Sequence, residues 1–188
     1  PFVPIARSLT RAIKRLDPSI VVIWGGIHPT IDPESCIADA DLVCRGEGEE
    51  AFVELTQRIR DGLSYDDIPN LWIRREQEVR KNPMRPLLAD IDSLPAPAHG
   101  KKGYYFINDG KLRREDPLIS QSVLFVITSR GCPFLCAYCA NSLLRPMLKG
   151  LGPANRRRSV DNVLREIQAN KNPATEIVVF VDELFGTD

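Results

Sequence analysis

Three cysteines stand close together in one stretch of the chain, Cys132-Pro133-Phe134-Leu135-Cys136-Ala137-Tyr138-Cys139. Thiolates so near one another on a single loop can turn inward to one centre, and the spacing is that of metal ligands. Soft sulfur selects iron–sulfur clusters, zinc or cuprous copper over hard cations. A [4Fe–4S] cluster ordinarily takes four cysteines, so three leave one iron open to a small molecule, and an open metal position is a reaction site. Zinc is the alternative, with His99 completing the ligand set. The chain's other two cysteines, Cys36 and Cys44, read as small buried residues, and an odd total of five does not suggest a disulfide framework.

A second group with chemical potential is the acidic pair Asp182-Glu183, whose carboxylates could accept hydrogen bonds from an ammonium group. A third is Gly25-Gly26-Ile27-His28, together with Gly46-Glu47-Gly48-Glu49. Paired glycines at the carboxyl end of a strand let a bulky ligand approach the backbone. The acidic loop is not a phosphate cradle, because Glu47 and Glu49 would repel a pyrophosphate; taken alone, it reads as a tight strand-to-helix turn. His28 is a possible metal ligand, but reads here as a turn residue bonded to nearby backbone and lining the crevice.

Each of these groups follows an apolar run. Residues 20–24, 42–44, 123–127 and 177–181 are β-branched or aliphatic on both faces, which predicts strands buried in a parallel sheet. Helical spacing separates them: Ile5, Leu9, Ile13 and Leu16 in the first helix, Phe52, Leu55 and Ile59 in a helix over 49–61, and Val160, Val163, Leu164 and Ile167 in a helix capped by Ser159. Strands alternating with helices predict an α/β fold whose ligands bind beyond the strand carboxyl ends. Leu71–Arg74 and 79–81 suggest a small hairpin, and Pro83, Pro86, Pro95 and Pro97 mark a connector too long for an ordinary loop. Tyr104, Tyr105 and Phe106 suggest an edge strand or turn. The expected organisation is 1–66, a linker over 67–121, and 122–188.

Lys+Arg and Asp+Glu both number 25, so no global field argues for nucleic acid as a partner. No apolar run approaches the ~20 residues of a bilayer span, and no signal segment opens the chain, which reads as cytoplasmic. The chain begins at Pro1 without a methionine and is expected to be a piece of a longer polypeptide, inactive by itself.

The Cys132-x3-Cys136-x2-Cys139 pattern, with Tyr138 just before the last cysteine, resembles the cluster loop of the radical S-adenosylmethionine enzymes. The resemblance implies that the three cysteines hold a [4Fe–4S] cluster whose open iron chelates S-adenosylmethionine, reductively cleaved to methionine and a 5′-deoxyadenosyl radical. It places Tyr138 against the adenine. Asp182 and Glu183 stand where the family often has Asp-Asp-x-Phe, beside the ammonium of the methionine moiety, and Arg156-Arg157-Arg158-Ser159 matches an Arg-x-Arg-Ser approach to the first barrel helix. The Gly25-Gly26 and Gly46-Glu47-Gly48-Glu49 loops are similar to those of a cobalamin-binding Rossmann-like domain, making Gly25, Gly26, His28, Gly46, Glu47 and Gly48 candidates for its crevice. The chain lacks the Asp-x-His-x-x-Gly loop that supplies a cobalt ligand in some such domains. Asp90-Ile91-Asp92-Ser93-Leu94-Pro95 is similar to the family's interdomain connector. The implied fold is the later half of that Rossmann-like domain, a linker, and the first βαβ of a partial TIM-type radical barrel. The implied function is methyl transfer, cyclisation or rearrangement of a small-molecule substrate, with electrons from an external reductant such as flavodoxin or ferredoxin. A zinc or electron-transfer module without catalysis is the rival reading.

Overall fold

The computed structural model describes residues 2–76, 78–97, 103–114 and 122–186. The chain divides into two compact units: residues 1–88 with 134–152, and residues 89–133 with 153–188. His99 lies outside the described residues.

The first unit runs α1 (Val3–Leu16), β1 (Ile23–Trp24), α2 (Ile27–Ile31), α3 (Pro33–Ile37), β2 (Leu42–Cys44), α4 (Glu49–Arg60), β3 (Leu71–Arg75), β4 (Glu78–Lys81) and, after the chain returns, α5 (Asn141–Met147). Its sheet has the order β1-β2-β3-β4, with β1 and β2 parallel and the other two pairings antiparallel. Strand alternation sorts its apolar residues into two cores. Leu42, Cys44, Leu71 and Ile73 pack with Ala51 and Leu55 of α4, while Trp24, Val43 and Trp72 pack with Cys36 and Ile37 of α3 and Val3 and Ala6 of α1. Helices therefore cover both faces of the sheet, the layering of a Rossmann-like α/β fold. The expected hairpin is the antiparallel half of this sheet, so residues 67–88 lie within the first unit.

Two helices turn a different face inward than their apolar spacing predicts. In α1, Ile5, Leu9 and Leu16 are exposed, whereas Thr10 is buried. On the buried side Thr10 serves the core, accepting from the Trp24 indole nitrogen on its Oγ1 at 2.9 Å. Arg7 donates to Asp39 on the same side at 2.6 Å. In α4 the small Ala51 and Leu55 face the sheet, leaving Phe52 and Ile59 exposed. The run over 20–24 is also shorter as a strand than expected. Asp41 accepts from Val22 N at 2.8 Å, and only Ile23 and Trp24 enter the ladder with Leu42 and Val43.

The second unit contains a hairpin, β5 (Phe106–Asn108) and β6 (Lys111–Arg113), then β7 (Val123–Val126), β8 (Ser129–Arg130), β9 (Arg156–Arg157), α6 (Val160–Asn170) and β10 (Ile177–Phe180). β7 and β10 pair in parallel, Val123 with Ile177 through Val126 with Phe180, and α6 forms the crossover. Leu124, Val126 and Val163 are its buried core, flanked by Ile167 and Val178, while Val160 and Leu164 of the expected helix face are exposed. Arg158 pairs with buried Glu166 and donates to the Ile127 carbonyl at 2.8 Å, clasping α6 to the end of β7.

Ser159 caps α6 by accepting from Asn162 N at 3.1 Å, and its own N–H donates to the Asp92 carboxylate at 3.0 Å. Hydrogen bonding from the Ser159 side chain, then its backbone N–H and the nearby Arg158 charge, hold the Asp92 carboxyl below the usual carboxylate range. Ser159→Ala is expected to cost about 1 kcal/mol. In a thermal melt that loss would appear as a midpoint lower by roughly 2–4 °C.

No helix among the described residues is long and apolar enough to cross a membrane.

Candidate cofactor sites

Because β1 and β2 are parallel, the loops leaving their carboxyl ends lie on one edge of the sheet. Gly25 and Gly26 follow β1; Gly46, Glu47 and Gly48 follow β2. Gly26 has φ +100° and Gly46 has φ +71°, backbone that a side-chain-bearing residue adopts only with strain. Among the described residues, a Cβ at Gly26 would meet no atom within 4 Å, so its backbone is uncovered at close range. Beneath it lies Cys44, whose Sγ is 3.5 Å from where a Gly48 Cβ would stand. Burial, with the nearby Glu49 charge, pushes the Cys44 thiol up to about 11, which keeps it protonated and unreactive at neutral pH.

The two loops are held by different means. Thr30 Oγ1 donates to the Gly26 carbonyl at 2.7 Å and accepts from Gly46 N at 2.9 Å. Glu47 turns inward: its carboxylate accepts from Leu88 N at 3.0 Å and its carbonyl from Asn70 Nδ2 at 2.5 Å. Its carboxylate thus braces the 84–88 segment. His28 is exposed in α2, and its carbonyl, accepting from Asp32 N at 2.8 Å, ties it to the turn. Glycine backbone at this edge suits the close approach of a corrin, and the exposed His28 imidazole stands on the turn that follows.

The cysteine loop leaves β7 through β8, which pairs with β9. Gly131 ends that pairing at φ +86°, and a Cβ there would stand 2.1 Å from the Ala154 carbonyl oxygen. Cys132 follows at once, half-buried. Cys136 is exposed, and Cys139 is half-buried at the start of α5, where Cys139 N donates to the Cys136 carbonyl at 2.9 Å and Ser142 Oγ to the Cys139 carbonyl at 2.7 Å. All three thiols are free. Tyr138 is 94% exposed, and negative charge on Cys136, with a hydrogen bond to it, holds the phenol above its ordinary value. Among the described residues no group of three His, Cys, Asp or Glu side chains is arranged around a single metal position. The fit of a [4Fe–4S] cluster therefore rests on the donor chemistry: three unpaired thiols on one loop, none fully buried.

The acidic pair separates into two environments. Asp182 Oδ1 accepts from Thr128 N at 2.9 Å, Thr128 Oγ1 at 2.9 Å and Ser129 Oγ at 2.5 Å, pinning the end of β10 to the end of β7. Its other oxygen, Oδ2, is buried and has no hydrogen-bond partner among the described residues, the kind of atom that a further donor would satisfy. Glu183 is exposed. Nearby, Thr128, Ser129, Arg157, Leu164, Phe180 and Phe185 contribute to a cavity of about 350 Å³, with the two phenylalanine rings stacked at 4.7 Å. Arg156 is buried and Arg157 exposed, while Arg158 is engaged by Glu166, so the basic run is not one uniform surface.

The pattern that resembles a cobalamin-binding domain runs from Gly25 through Pro29 and Thr30, and Gly131 stands in the cluster-loop stretch, but the sequence assigns neither Thr30 nor Gly131 a role of its own. Gly131 had one signal: a glycine immediately before the first cysteine.

The family model of the B12 binding domain matches residues 3–56, α1 through most of α4. An uncharacterized methyltransferase of Pyrococcus horikoshii is 30% identical over 186 residues, covering 96% of this chain and 37% of that protein. The anaerobic magnesium-protoporphyrin IX monomethyl ester cyclase of a Synechocystis strain is 23% identical over 139 residues, covering 72% of this chain and 26% of that protein. Among solved structures, the radical S-adenosylmethionine methyltransferase TsrM of Kitasatospora setae, with cobalamin and a [4Fe–4S] cluster bound, superposes with a TM-score of 0.67 at 22% identity, over 97% of this chain and 34% of TsrM. The chain spans well under half the length of these relatives. With a B12-binding domain over residues 3–56 and relatives that align along most of this chain, the chain belongs to the radical S-adenosylmethionine enzymes that carry a cobalamin-binding domain.

Proposed function

We propose that this protein is a cobalamin-dependent radical S-adenosylmethionine enzyme that transfers a methyl group to a small-molecule substrate. The carrying observation is the loop of three free thiols at the carboxyl end of β7, following a B12-binding domain. Cys132, Cys136 and Cys139 would hold the [4Fe–4S] cluster. When bound, that cluster supplies one electron to cleave S-adenosylmethionine reductively, and cobalamin supplies methyl-group chemistry. The remaining roles belong to the chain. Tyr138, exposed between two of the ligands, offers its ring to the adenine. Asp182, through the oxygen its strand-end bonds leave unpaired, and Glu183 accept hydrogen bonds from the methionine ammonium. Gly25, Gly26, Gly46 and Gly48 let the corrin approach the backbone, and His28 and Glu47 border that crevice. Methyl transfer is favoured because the relatives from Pyrococcus and Kitasatospora are both methyltransferases by name; the Synechocystis relative makes cyclisation the second reading. A flavodoxin- or ferredoxin-type protein would deliver the electron.

The test is electron paramagnetic resonance of the anaerobically reconstituted, reduced full-length protein, with and without S-adenosylmethionine. A [4Fe–4S]⁺ signal that shifts on addition supports the reading. A colourless zinc protein, or a cluster signal indifferent to S-adenosylmethionine, would leave a structural or electron-carrying module instead. His28→Ala is expected to leave the visible spectrum of bound cobalamin unchanged, because His28 borders the crevice without ligating cobalt. A shifted axial-ligand spectrum would make it a ligand.

A further inference from the structure

We propose that Thr30 is the positioning residue of the cobalamin crevice, its single hydroxyl setting the register between the loops that follow β1 and β2; this rests on the cobalamin reading above. Thr30 is 2% exposed. Its Oγ1 hydrogen goes to the Gly26 carbonyl at 2.7 Å and its lone pair receives Gly46 N–H at 2.9 Å, so one oxygen ties residue 26 to residue 46 across the sheet edge. These are the two glycines with φ +100° and +71°. Lacking side chains, they cannot anchor themselves, and glycine backbone has the most conformational freedom to lose.

Thr30 can serve as an anchor because its own position is fixed. It lies in α2, where its N–H donates to the Gly26 carbonyl at 3.2 Å, and the next turn is closed by Asp32 N on the His28 carbonyl at 2.8 Å. Asp32 then caps α3 through Ser35 N at 3.3 Å. Pro29 and Pro33 on either side are buried. A macrocycle that rested on both loops would find their spacing already fixed, which avoids the ordering cost that binding would otherwise carry.

The experiment compares two pairs of side chains that differ chiefly by the hydroxyl: Thr30 against Thr30→Val, and Thr30→Ser against Thr30→Ala. Hydroxocobalamin is titrated into the full-length protein and the dissociation constant read from visible absorbance, with cluster iron content as an independent check of folding. Loss of the hydroxyl is expected to weaken binding at least about tenfold within each pair, while Thr30→Ser stays within about threefold of wild type. Should Thr30→Val fail to fold, the serine and alanine variants carry the same comparison. Equal affinities within the pairs, or a Thr30→Ser protein as weak as Thr30→Ala, would overturn the role of Thr30 while leaving the cobalamin reading intact. A wild-type protein that takes up no hydroxocobalamin would overturn both.

Discussion

Gly131→Ala is expected to strip the full-length protein of most of its iron. Two independent penalties meet at this position. The first is conformational: at φ +86° an alanine is strained, at a cost of about 1–3 kcal/mol. The second is steric. The added carbon would stand 2.1 Å from the Ala154 oxygen, 2.8 Å from the Ala154 carbonyl carbon and 3.2 Å from Asn155 Oδ1, and the first two are backbone atoms that no rotamer change can move. Nor is that backbone free to retreat. It is held by the Ser129–Arg157 and Arg130–Arg156 pairing, and by Arg158 N donating to the Thr128 carbonyl at 2.9 Å. The β8–β9 pairing must therefore open, and it is the element from which Cys132 departs. Gly150 supplies the control, since it has the same φ of +86° but nothing within 4 Å of its would-be Cβ. Gly150→Ala is expected to lower stability modestly and keep its iron. Iron and sulfide per chain after reconstitution, read beside the circular dichroism of each variant, separate the two. Equal iron in both proteins would show that the close approach to Ala154 does not shape the cluster loop.

How far the sequence reaches is visible in which residues it placed and which it did not. The cysteine loop, the glycine loops and the strands before them were legible because each rests on local information: a ligand spacing, a two-faced apolar run, a glycine where the chain turns. The inward faces of α1 and α4 were not. Ile5, Leu9 and Leu16 form a better apolar stripe than the one that is buried, and the buried side carries a tertiary contact that helical spacing does not encode, the hydrogen bond from the Trp24 indole to Thr10. The antiparallel partnership of β2 with β3 was equally hidden, because the Leu71–Arg74 pattern says hairpin without saying to which sheet it adds. At the candidate sites the residue types were readable and their engagements were not. Asp182 and Glu183 looked equivalent, yet one is fastened to Thr128 and Ser129 while the other is exposed. Glu47 stands in the glycine loop as the sequence places it, and the engagement of its carboxylate with Leu88 N was not readable there. Hydrogen bonds between residues 41 to 54 positions apart carry these distinctions, and no local pattern encodes them.

Cys136→Ala in the full-length protein should abolish cluster assembly while leaving cobalamin binding untouched. Cys136 is the exposed member of the three thiols, so its removal opens no cavity and should cost the fold little. A two-thiolate remainder is too few donors for a [4Fe–4S] cluster, and a third ligand cannot come from the other cysteines of the chain without undoing the sheet. Cys36 is 0% exposed and Cys44 is 6% exposed, each built into one of the first unit's two cores, and burial raises both thiols above their ordinary range. Serine is not expected to rescue, because a neutral hydroxyl is a hard and weakly ionised donor where soft thiolate is required. The cobalamin contacts should survive, since the loops at Gly26 and Gly46 are held by Thr30 and by Glu47 and Asn70, none of which is in the cysteine loop. The measurement is paired: iron and the reduced-cluster resonance on one side, the hydroxocobalamin dissociation constant on the other. Iron retained at the wild-type level would remove Cys136 from the ligand set. Loss of iron and cobalamin together would mean that the two cofactor sites do not form independently, and that the cysteine loop supports the glycine crevice as well as the cluster.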